Sequence, residues 1–363
     1  MSAGEVGPLA PVGFDTLDGW ADDDHASAFR AFRLSAERIA DQPPKTRALG
    51  VDGEALAIAA RAALALPEVL DAIAARSFFE KHFVPHEGVA GDGFFTGYYE
   101  PEADAARTAD DRFKTPLLRP PEELVEIDEA APPPELPAGM RFARRTAAGF
   151  EPFFDRGAIM AGALDGRGLE IAFLTDPVDA YFIHVQGAAR LRMQDGTLLR
   201  VTYAAKSGHD YRSIGRELID RGALQRGSVT MQSIRAWLAE HADEASSVMA
   251  SNPSYIFFRE APVDDPALGP IAAAKVPLTP GRSLAVDRTL HTFHVPVWIE
   301  TSVPAAGGAA PFRRLLVAQD TGSAILGPAR GDIFFGSGDA AGETAGRMQA
   351  KGRFVTLVPR SPR

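Results

Sequence analysis

Cysteine is absent from the 363 residues. That excludes disulfides and thiolate metal sites and leaves the chain indifferent to redox compartment. No run of about 18 apolar residues exists either, so nothing reads as a bilayer-spanning helix. Basic residues are the minority: 38 Lys and Arg against 48 Asp and Glu give a formal charge of −10. No nucleic-acid partner is expected on that ground, because phosphate binding calls for a basic surface. The opening residues, MSAGEVGPLAPVGF, show neither a basic n-region nor an apolar h-region, so no signal peptide is expected there.

The length allows two domains with real cores. A hydrophobic fraction of 45% and a charged fraction of 24% are ordinary for a globular protein. Residues 24–41 place Phe29, Phe32, Leu34 and Ile39 at roughly helical spacing, and the Ala-rich stretch 54–75 predicts two helices parted at Pro67. The run GDGFFTGYYEPEAD at 91–104 joins glycines, which permit close backbone approach, to Tyr98 and Tyr99, which offer flat amphipathic surfaces. A stretch rich in proline and acid, 115–139, reads as an extended loop.

Strands are expected at 170–175, 181–186 and 198–203. Helices follow at 213–221 behind Ser213 and at 231–241 behind Thr230. Further strands are expected at 255–259, 283–287, 295–301, 313–319, 333–335 and 354–358, with a short Ala/Gly-rich helix over 340–350. No internal repeat is found. Helices first, then many short strands with Gly/Pro turns, indicate an α+β, mostly β, protein whose main sheet is a compact barrel.

The run QDTGSAILGPARGDIFFG at 319–336 holds the conspicuous acids. Asp320 follows an apolar strand and precedes a glycine; Asp332 lies 12 residues on, beside Ile333, Phe334 and Phe335. An acid set against aromatic residues has its pKa raised by desolvation, and a neighbouring carboxylate raises it further. Such a group can protonate a leaving oxygen near neutral pH. The plain alternative is a pair of turn aspartates bonded to nearby amides. Asp-Thr-Gly-Ser also matches the aspartic-protease signature, but a single chain of this length should then carry two such tripeptides, and no second Asp-Thr-Gly or Asp-Ser-Gly is present.

Six separated motifs carry a resemblance. They are FFTGYYEPEAD (94–104), YFIHVQGAARLRMQDG (181–196), VTYAAKSGHDYRSIGRELIDRG (201–222), NPSYIFF (252–258), VPLTPGRSLAVDR (276–288) and QDTGSAILGPARGDIFFG (319–336). In this order they resemble the membrane-bound lytic murein transglycosylase A family. The resemblance implies a double-psi β-barrel with flanking N-terminal helices. A second β-domain would be inserted into it, with a glycan groove between the two. Residues 1–103 would then hold the helices and the first part of the barrel domain, 104–265 the insert and 266–363 the rest of the barrel. The family's three aspartates would be Asp287, Asp320 and Asp332.

The implied reaction is cleavage of the β-1,4 bond between N-acetylmuramic acid and N-acetylglucosamine in peptidoglycan, leaving a 1,6-anhydro ring. The match places the catalytic aspartate at Asp332, acting first as acid and then as base. Asp320 and Asp287 are expected to support it, with Asp320 bonding backbone amides or orienting a neighbour. Two rivals stay open: an inverting hydrolase using Asp332 and Asp320 as a pair, and a non-catalytic peptidoglycan-binding protein.

Other residues have two readings each. Thr96, Gly97, Tyr98 and Tyr99 form either a glycan-binding wall or a barrel turn with core tyrosines. Gln186, Tyr203, Lys206, Ser207 and Ser323 are candidates for sugar contacts, and Arg330 for holding a substrate carboxylate such as the lactyl group. His291 and His294 form an HxxH, but i and i+3 on a strand face opposite ways and no carboxylate sits at ligand spacing, so solvated or packed histidines are expected. No metal and no cofactor is expected. The expected partner is the glycan strand, with room for a cell-wall synthesis or division complex, and a monomer is expected. Periplasmic location follows from the substrate. The family's lipid anchor needs a signal peptide and a cysteine, and neither is found, which leaves outer-membrane attachment open.

Overall fold

The computed structural model describes residues 9–88, 93–128 and 130–360. Most of the N-terminal segment read for a signal peptide, Gly91 and Asp92 of the Gly/aromatic run, and Glu129 of the acidic stretch lie outside the described residues. The chain divides into two compact units. One comprises Met1–Tyr99, Asp265–Gly336 and Ala340–Arg363; the other comprises Glu100–Asp264 and Ser337–Asp339.

The first unit is built on a closed six-stranded barrel. Its strands are β1 (Gly93–Glu100), β2 (Ser283–Ala285), β3 (Pro296–Ala305), β4 (Gly308–Asp320), β5 (Arg330–Ser337) and β6 (Gln349–Pro359). Around the barrel they run β1–β6–β3–β4–β2–β5 and back to β1. Closure removes the open edges that a flat sheet would expose. β3 and β4 form one long hairpin, in register from Pro296 opposite Val317 to Ala305 opposite Gly308. β2 is short but central. It runs parallel to β4 and antiparallel to β5.

Three N-terminal helices pack against this barrel, α1 (His25–Ile39), α2 (Gly53–Leu64) and α3 (Ala72–His82), and a further helix, Asp339–Arg347, follows β5 where one was expected. Each of the three starts behind an aspartate. Asp24, Asp52 and Asp71 accept the amides of Ser27, Glu54 and Ala74, satisfying donors that the first turn leaves orphaned. Pro67 falls between α2 and α3, as its lack of an N–H dictates. Phe29, Phe32, Phe78, Phe79 and Phe83 are buried in one cluster with Trp298, Leu315, Ile333 and Val355 of the barrel. Phe29 meets Phe78 edge-on at 5.1 Å, and Phe32 meets Phe83 at 5.7 Å. Each such buried ring contributes about 1.5–3 kcal/mol of transfer free energy. Just before β2, Arg282 forms a two-pronged ion pair with Asp23 at 2.7 and 2.8 Å, both side chains buried. Asp23 also accepts the Leu315 amide at 2.9 Å, so this pair ties the start of β2 to β4.

The second unit holds a six-stranded sheet in the order Ile256–Ala261, Leu198–Lys206, Ala188–Met193, Glu102–Ala106, Glu170–Leu174 and Thr115–Leu118. A three-stranded sheet, Leu124–Glu126, Phe142–Thr146 and Gly149–Glu151, accompanies it. The helices Ile214–Asp220 and Met231–Glu240 lie where expected, capped by Ser213 and Thr230.

Two expectations need correction here. The stretch 181–186 is not a strand but the body of a helix, Pro177–Gln186. Its apolar run hides the period, while the flanks carry the helix signals. Asp176 is the N-cap, Pro177 stands at the first turn, and Gly187 closes the helix at φ 78°. The stretch 115–139 is not loop throughout, since it contains the strands Thr115–Leu118 and Leu124–Glu126. Pro116 is tolerated because its strand is the edge of the six-stranded sheet, where a missing donor breaks no interior ladder.

Candidate active site

Alternation along β1 sorts its side chains. Phe94 is 44% exposed and Thr96 and Tyr98 are half-buried on one face, while Phe95 and Tyr99 are buried on the other. The run 96–99 is therefore not one wall. Tyr99 packs inward against Gly342, where an added Cβ would lie 2.8 Å from its ring. Gly97 serves packing as well: a Cβ there would sit 2.5 Å from the Phe335 ring and 2.9 Å from the Ala345 Cα. Thr96 and Tyr98 remain, and Phe94 joins them. Period-2 alternation applied to 94–99 would have found Phe94 and dropped Tyr99.

β2 organises the aspartates. Ala285 is in register with Asp320 of β4 on one side and with Asp332 of β5 on the other. Both acids reach the outward face of β1. The Tyr98 hydroxyl donates to Asp320 Oδ2 at 3.0 Å, and the Thr96 hydroxyl donates to Asp332 Oδ1. Asp320 Oδ1 accepts the Ala273 amide at 3.2 Å, a backbone partner that no side-chain pattern could reveal.

Burial pushes the Asp332 carboxyl above the ordinary carboxylate range. The Arg330 charge and the Thr96 bond pull it down, and the Asp320 charge pushes it up again, with the net shift upward. Asp320 is also raised by burial, against the pull of the Thr321 and Ala273 amides and the Tyr98 hydroxyl. The Tyr98 phenol is pushed well above its usual value by burial and by both carboxylates, so it stays protonated and donates. Tyr98 also packs its ring 5.3 Å from that of Phe334.

Asp287 lies two residues past Ala285 and does something different. It is buried, and Oδ1 accepts the Thr289 amide at 2.9 Å and the Thr289 hydroxyl at 2.6 Å. Oδ2 accepts the Gly327 amide at 2.9 Å. Burial alone would raise its pKa, but these bonds outweigh burial and hold it below the ordinary range. Asp287 thus pins the loop 321–329, which joins β4 to β5 and carries the exposed Ser323. His291 pins the same loop, its Nε2 standing 3.0 Å from the Pro328 carbonyl. His291 and His294 are both packed rather than solvated, and burial pulls each down to about 4. Neither lies on a strand; His294 has φ 70°. Among the described residues no group of three or more acidic or histidine side chains could hold a metal ion.

Arg330 is half-buried at the start of β5. Nη2 donates to Thr96 Oγ1 at 2.6 Å, and Nη1 donates to the Phe94 carbonyl at 3.4 Å and to the Gly331 carbonyl. Its guanidinium lies 5.1 Å over the Phe94 ring. The first unit therefore brings together two bonded sets on β1, Tyr98 with Asp320 and Arg330 with Thr96 and Asp332.

Gln186, Tyr203, Lys206 and Ser207 belong to the second unit. Gln186 ends a helix, and the Tyr203 amide donates to the Gly187 carbonyl beside it at 2.8 Å. Tyr203 is exposed and sits where the strand register shifts, a bulge of the kind that re-aims a side chain. Lys206 is half-buried at the end of the same strand. Ser207 is fully buried, and its hydroxyl accepts the Tyr255 amide at 3.1 Å. It ties two segments 48 residues apart and exposes no group to a ligand, so the structure does not support its expected sugar contact.

Residues 94–259 match the MltA specific insert domain, and residues 282–358 match the 3D domain. A crystal structure of membrane-bound lytic murein transglycosylase from Agrobacterium tumefaciens is similar with TM-score 0.89 at 45% identity, covering 97% of this chain and 98% of that one. The Escherichia coli K12 membrane-bound lytic murein transglycosylase A is 33% identical over 277 residues, 74% of this chain and 66% of that protein. The chain thus spans just under two thirds of the length of such curated relatives. A crystal structure of E. coli MltA with bound chitohexaose is similar with TM-score 0.68 at 27% identity, covering 97% of this chain and 92% of that one. A barrel that sets two raised carboxyls on either side of one strand, together with these likenesses, leads to one conclusion: this chain belongs to the membrane-bound lytic murein transglycosylase A family, with its specific insert and its 3D domain.

Proposed function

We propose that this protein is a peptidoglycan lytic transglycosylase that uses Asp332 as its single acid and base. The bond cut is the β-1,4 link between N-acetylmuramic acid and N-acetylglucosamine. The observation that carries the reading is Asp332 itself. It is partly exposed on a barrel strand, its pKa is raised, and one of its oxygens is bonded to Thr96. A carboxyl in that state holds a proton closer to neutral pH than an ordinary aspartate does.

The chemistry balances with that one group. Asp332 gives its proton to the departing glycosidic oxygen as the C1–O bond breaks through an oxocarbenium-like state. The resulting carboxylate then takes the proton of the C6 hydroxyl of the same muramic acid, whose oxygen bonds to C1. No water is consumed, and Asp332 ends protonated as it began. The attacking hydroxyl is delivered by the substrate, so proximity replaces a protein nucleophile.

Asp320 is less suited to activate a water for hydrolysis. Both its oxygens are engaged, one by Tyr98 and one by the Ala273 amide. Its place in this reading is to orient Tyr98 and to keep negative charge beside Asp332. Asp287 holds the loop before β5. Glycan strands are the partner, in line with the chitohexaose bound by the E. coli protein. The relatives named above are membrane-bound by name, and among the described residues no helix is long and apolar enough to cross a membrane. A periplasmic site of action fits the substrate.

Mass analysis of the products from purified sacculi tests the reading. A muramic terminus lighter by one water supports it. A free reducing end would establish hydrolysis instead, as the inverting alternative requires, and sacculi bound without soluble product would establish a binding protein.

A further inference from the structure

The two oxygens of Asp332 are not equivalent. Oδ1 meets the Thr96 hydroxyl, whereas among the described residues no donor bonds Oδ2. Thr96 Oγ1 in turn accepts Arg330 Nη2 at 2.6 Å. A guanidinium only donates. A hydroxyl already occupied by a cationic donor is polarised to give its own hydrogen onward, here to Asp332 Oδ1. An oxygen receiving that hydrogen is a poor place for the acidic proton, which is left to Oδ2.

Arg330 is held for this task rather than left to reach for ligand. Nη1 donates to the Phe94 carbonyl at 3.4 Å and to the Gly331 carbonyl, and the guanidinium lies 5.1 Å over the Phe94 ring. Three contacts from two neighbouring barrel strands fix the plane of the fork. We propose that Arg330 and Thr96 are positioning residues, a relay that keeps the transferable hydrogen of Asp332 on Oδ2 and so leaves that oxygen to protonate the glycosidic bond. This replaces the expectation that Arg330 grips a substrate carboxylate and the reading of Thr96 as part of a glycan-binding wall. It rests on Asp332 being the acid.

The charged and titratable groups facing Asp332 are Arg330, Asp320 and Tyr98. Arg330 and the Thr96 bond both favour the carboxylate form, and Asp320 opposes it. A general acid must be protonated, so activity falls as pH rises through its pKa. Loss of the Thr96 hydroxyl removes a bond to the carboxylate. The falling limb of the pH profile should then move to higher pH even as turnover drops.

The experiment is steady-state kinetics of the full chain on soluble, peptide-free murein glycan strands across pH 4–9, with Thr96→Val, Thr96→Ser, Arg330→Met and Asp332→Asn. Thr96→Val should lose about tenfold to a hundredfold in kcat, the scale of a misplaced reacting group. KM should stay within about twofold, the signature of an interaction that acts only in the transition state. The falling limb should shift upward, and Thr96→Ser should restore both. Arg330→Met should repeat the pattern of Thr96→Val. The relay is overturned if Arg330→Met raises KM while kcat holds, which would make Arg330 a substrate clamp. It is overturned equally if Thr96→Val leaves the limb in place, or loses folded protein while folded Thr96→Ser fails to keep wild-type kcat. Full activity in Asp332→Asn would instead sink the acid assignment on which the relay rests.

Discussion

Asp320 and Asp332 face each other across a single residue of the sheet. Ala285 of β2 is paired with Asp320 on its β4 side and with Asp332 on its β5 side. Strand spacing puts the two backbones about 10 Å apart, with β2 between them. The side chains then diverge in partners, Asp320 to Tyr98 and Ala273, Asp332 to Thr96. Similar position and different bonding are what give two aspartates two roles.

Replacing Asp332 by Asn should lower the release of soluble muropeptides by about a hundredfold to ten-thousandfold, the usual contribution of an acid–base group. Binding to sacculi should persist, because the change is isosteric. Stability should hold or rise as well. A carboxyl whose folded-state pKa is raised stabilises the fold below its unfolded value, and that contribution is lost as pH climbs through the folded one. Above the folded-state pKa the carboxylate form of Asp332 is a cost that Asn removes. A melting temperature well below that of the unchanged protein would contradict this.

Asp320→Asn tests the charge coupling with the opposite sign to Thr96→Val. The Asp320 charge raises the Asp332 pKa, so its removal lets Asp332 ionise at lower pH. The falling limb of kcat/KM should move to lower pH. The peak rate should drop by less than about tenfold if Asp320 transfers no proton. A loss as deep as that of Asp332→Asn would make Asp320 a second catalytic group.

Asp287 should matter to stability more than to chemistry. Its folded-state pKa is lowered by the Thr289 and Gly327 bonds acting against burial. It therefore stabilises the fold fully above the unfolded value near 4, and that contribution fades as pH falls through the depressed one. Asp287→Asn should cost about 1–3 kcal/mol at pH 7 in urea melts, as expected when a buried network loses a partner. The gap to the unchanged protein should narrow below about pH 4. A gap that stays constant down to pH 2.5 would refute the role of ionisation.

Gly97→Ala distinguishes packing from glycan contact. The added Cβ would press on the Phe335 ring at 2.5 Å and on the Ala345 backbone at 2.9 Å. Overpacking of this kind costs about 1–3 kcal/mol. The expected readout is a lowered melting temperature with KM on glycan strands unchanged. A raised KM at unchanged melting temperature would return Gly97 to the binding surface.

Much was legible in the amino-acid order because it depends on neighbours in sequence. The N-caps Ser213 and Thr230, the break at Pro67 and the apolar strands of the last third follow from local chemistry, and the structure places them there. The helix over 181–186 is hidden in its apolar run, which has no visible period, and only Asp176, Pro177 and Gly187 at its flanks mark it. The two carboxyls could be singled out locally, Asp332 by its aromatic neighbours and Asp320 by its place between an apolar strand and a glycine. What the order could not hold was any relation closed by the barrel. The alignment of both acids on Ala285, the relay from Arg330 through Thr96 to Asp332, the inward turn of Tyr99 and the Ala273 amide on Asp320 each join strands or segments brought together only when the sheet closes. Composition and local pattern set which groups were available. Registry between distant strands decided which of them share a proton, since hydrogen bonds and desolvation act over a few ångströms of space, whatever the separation in the chain.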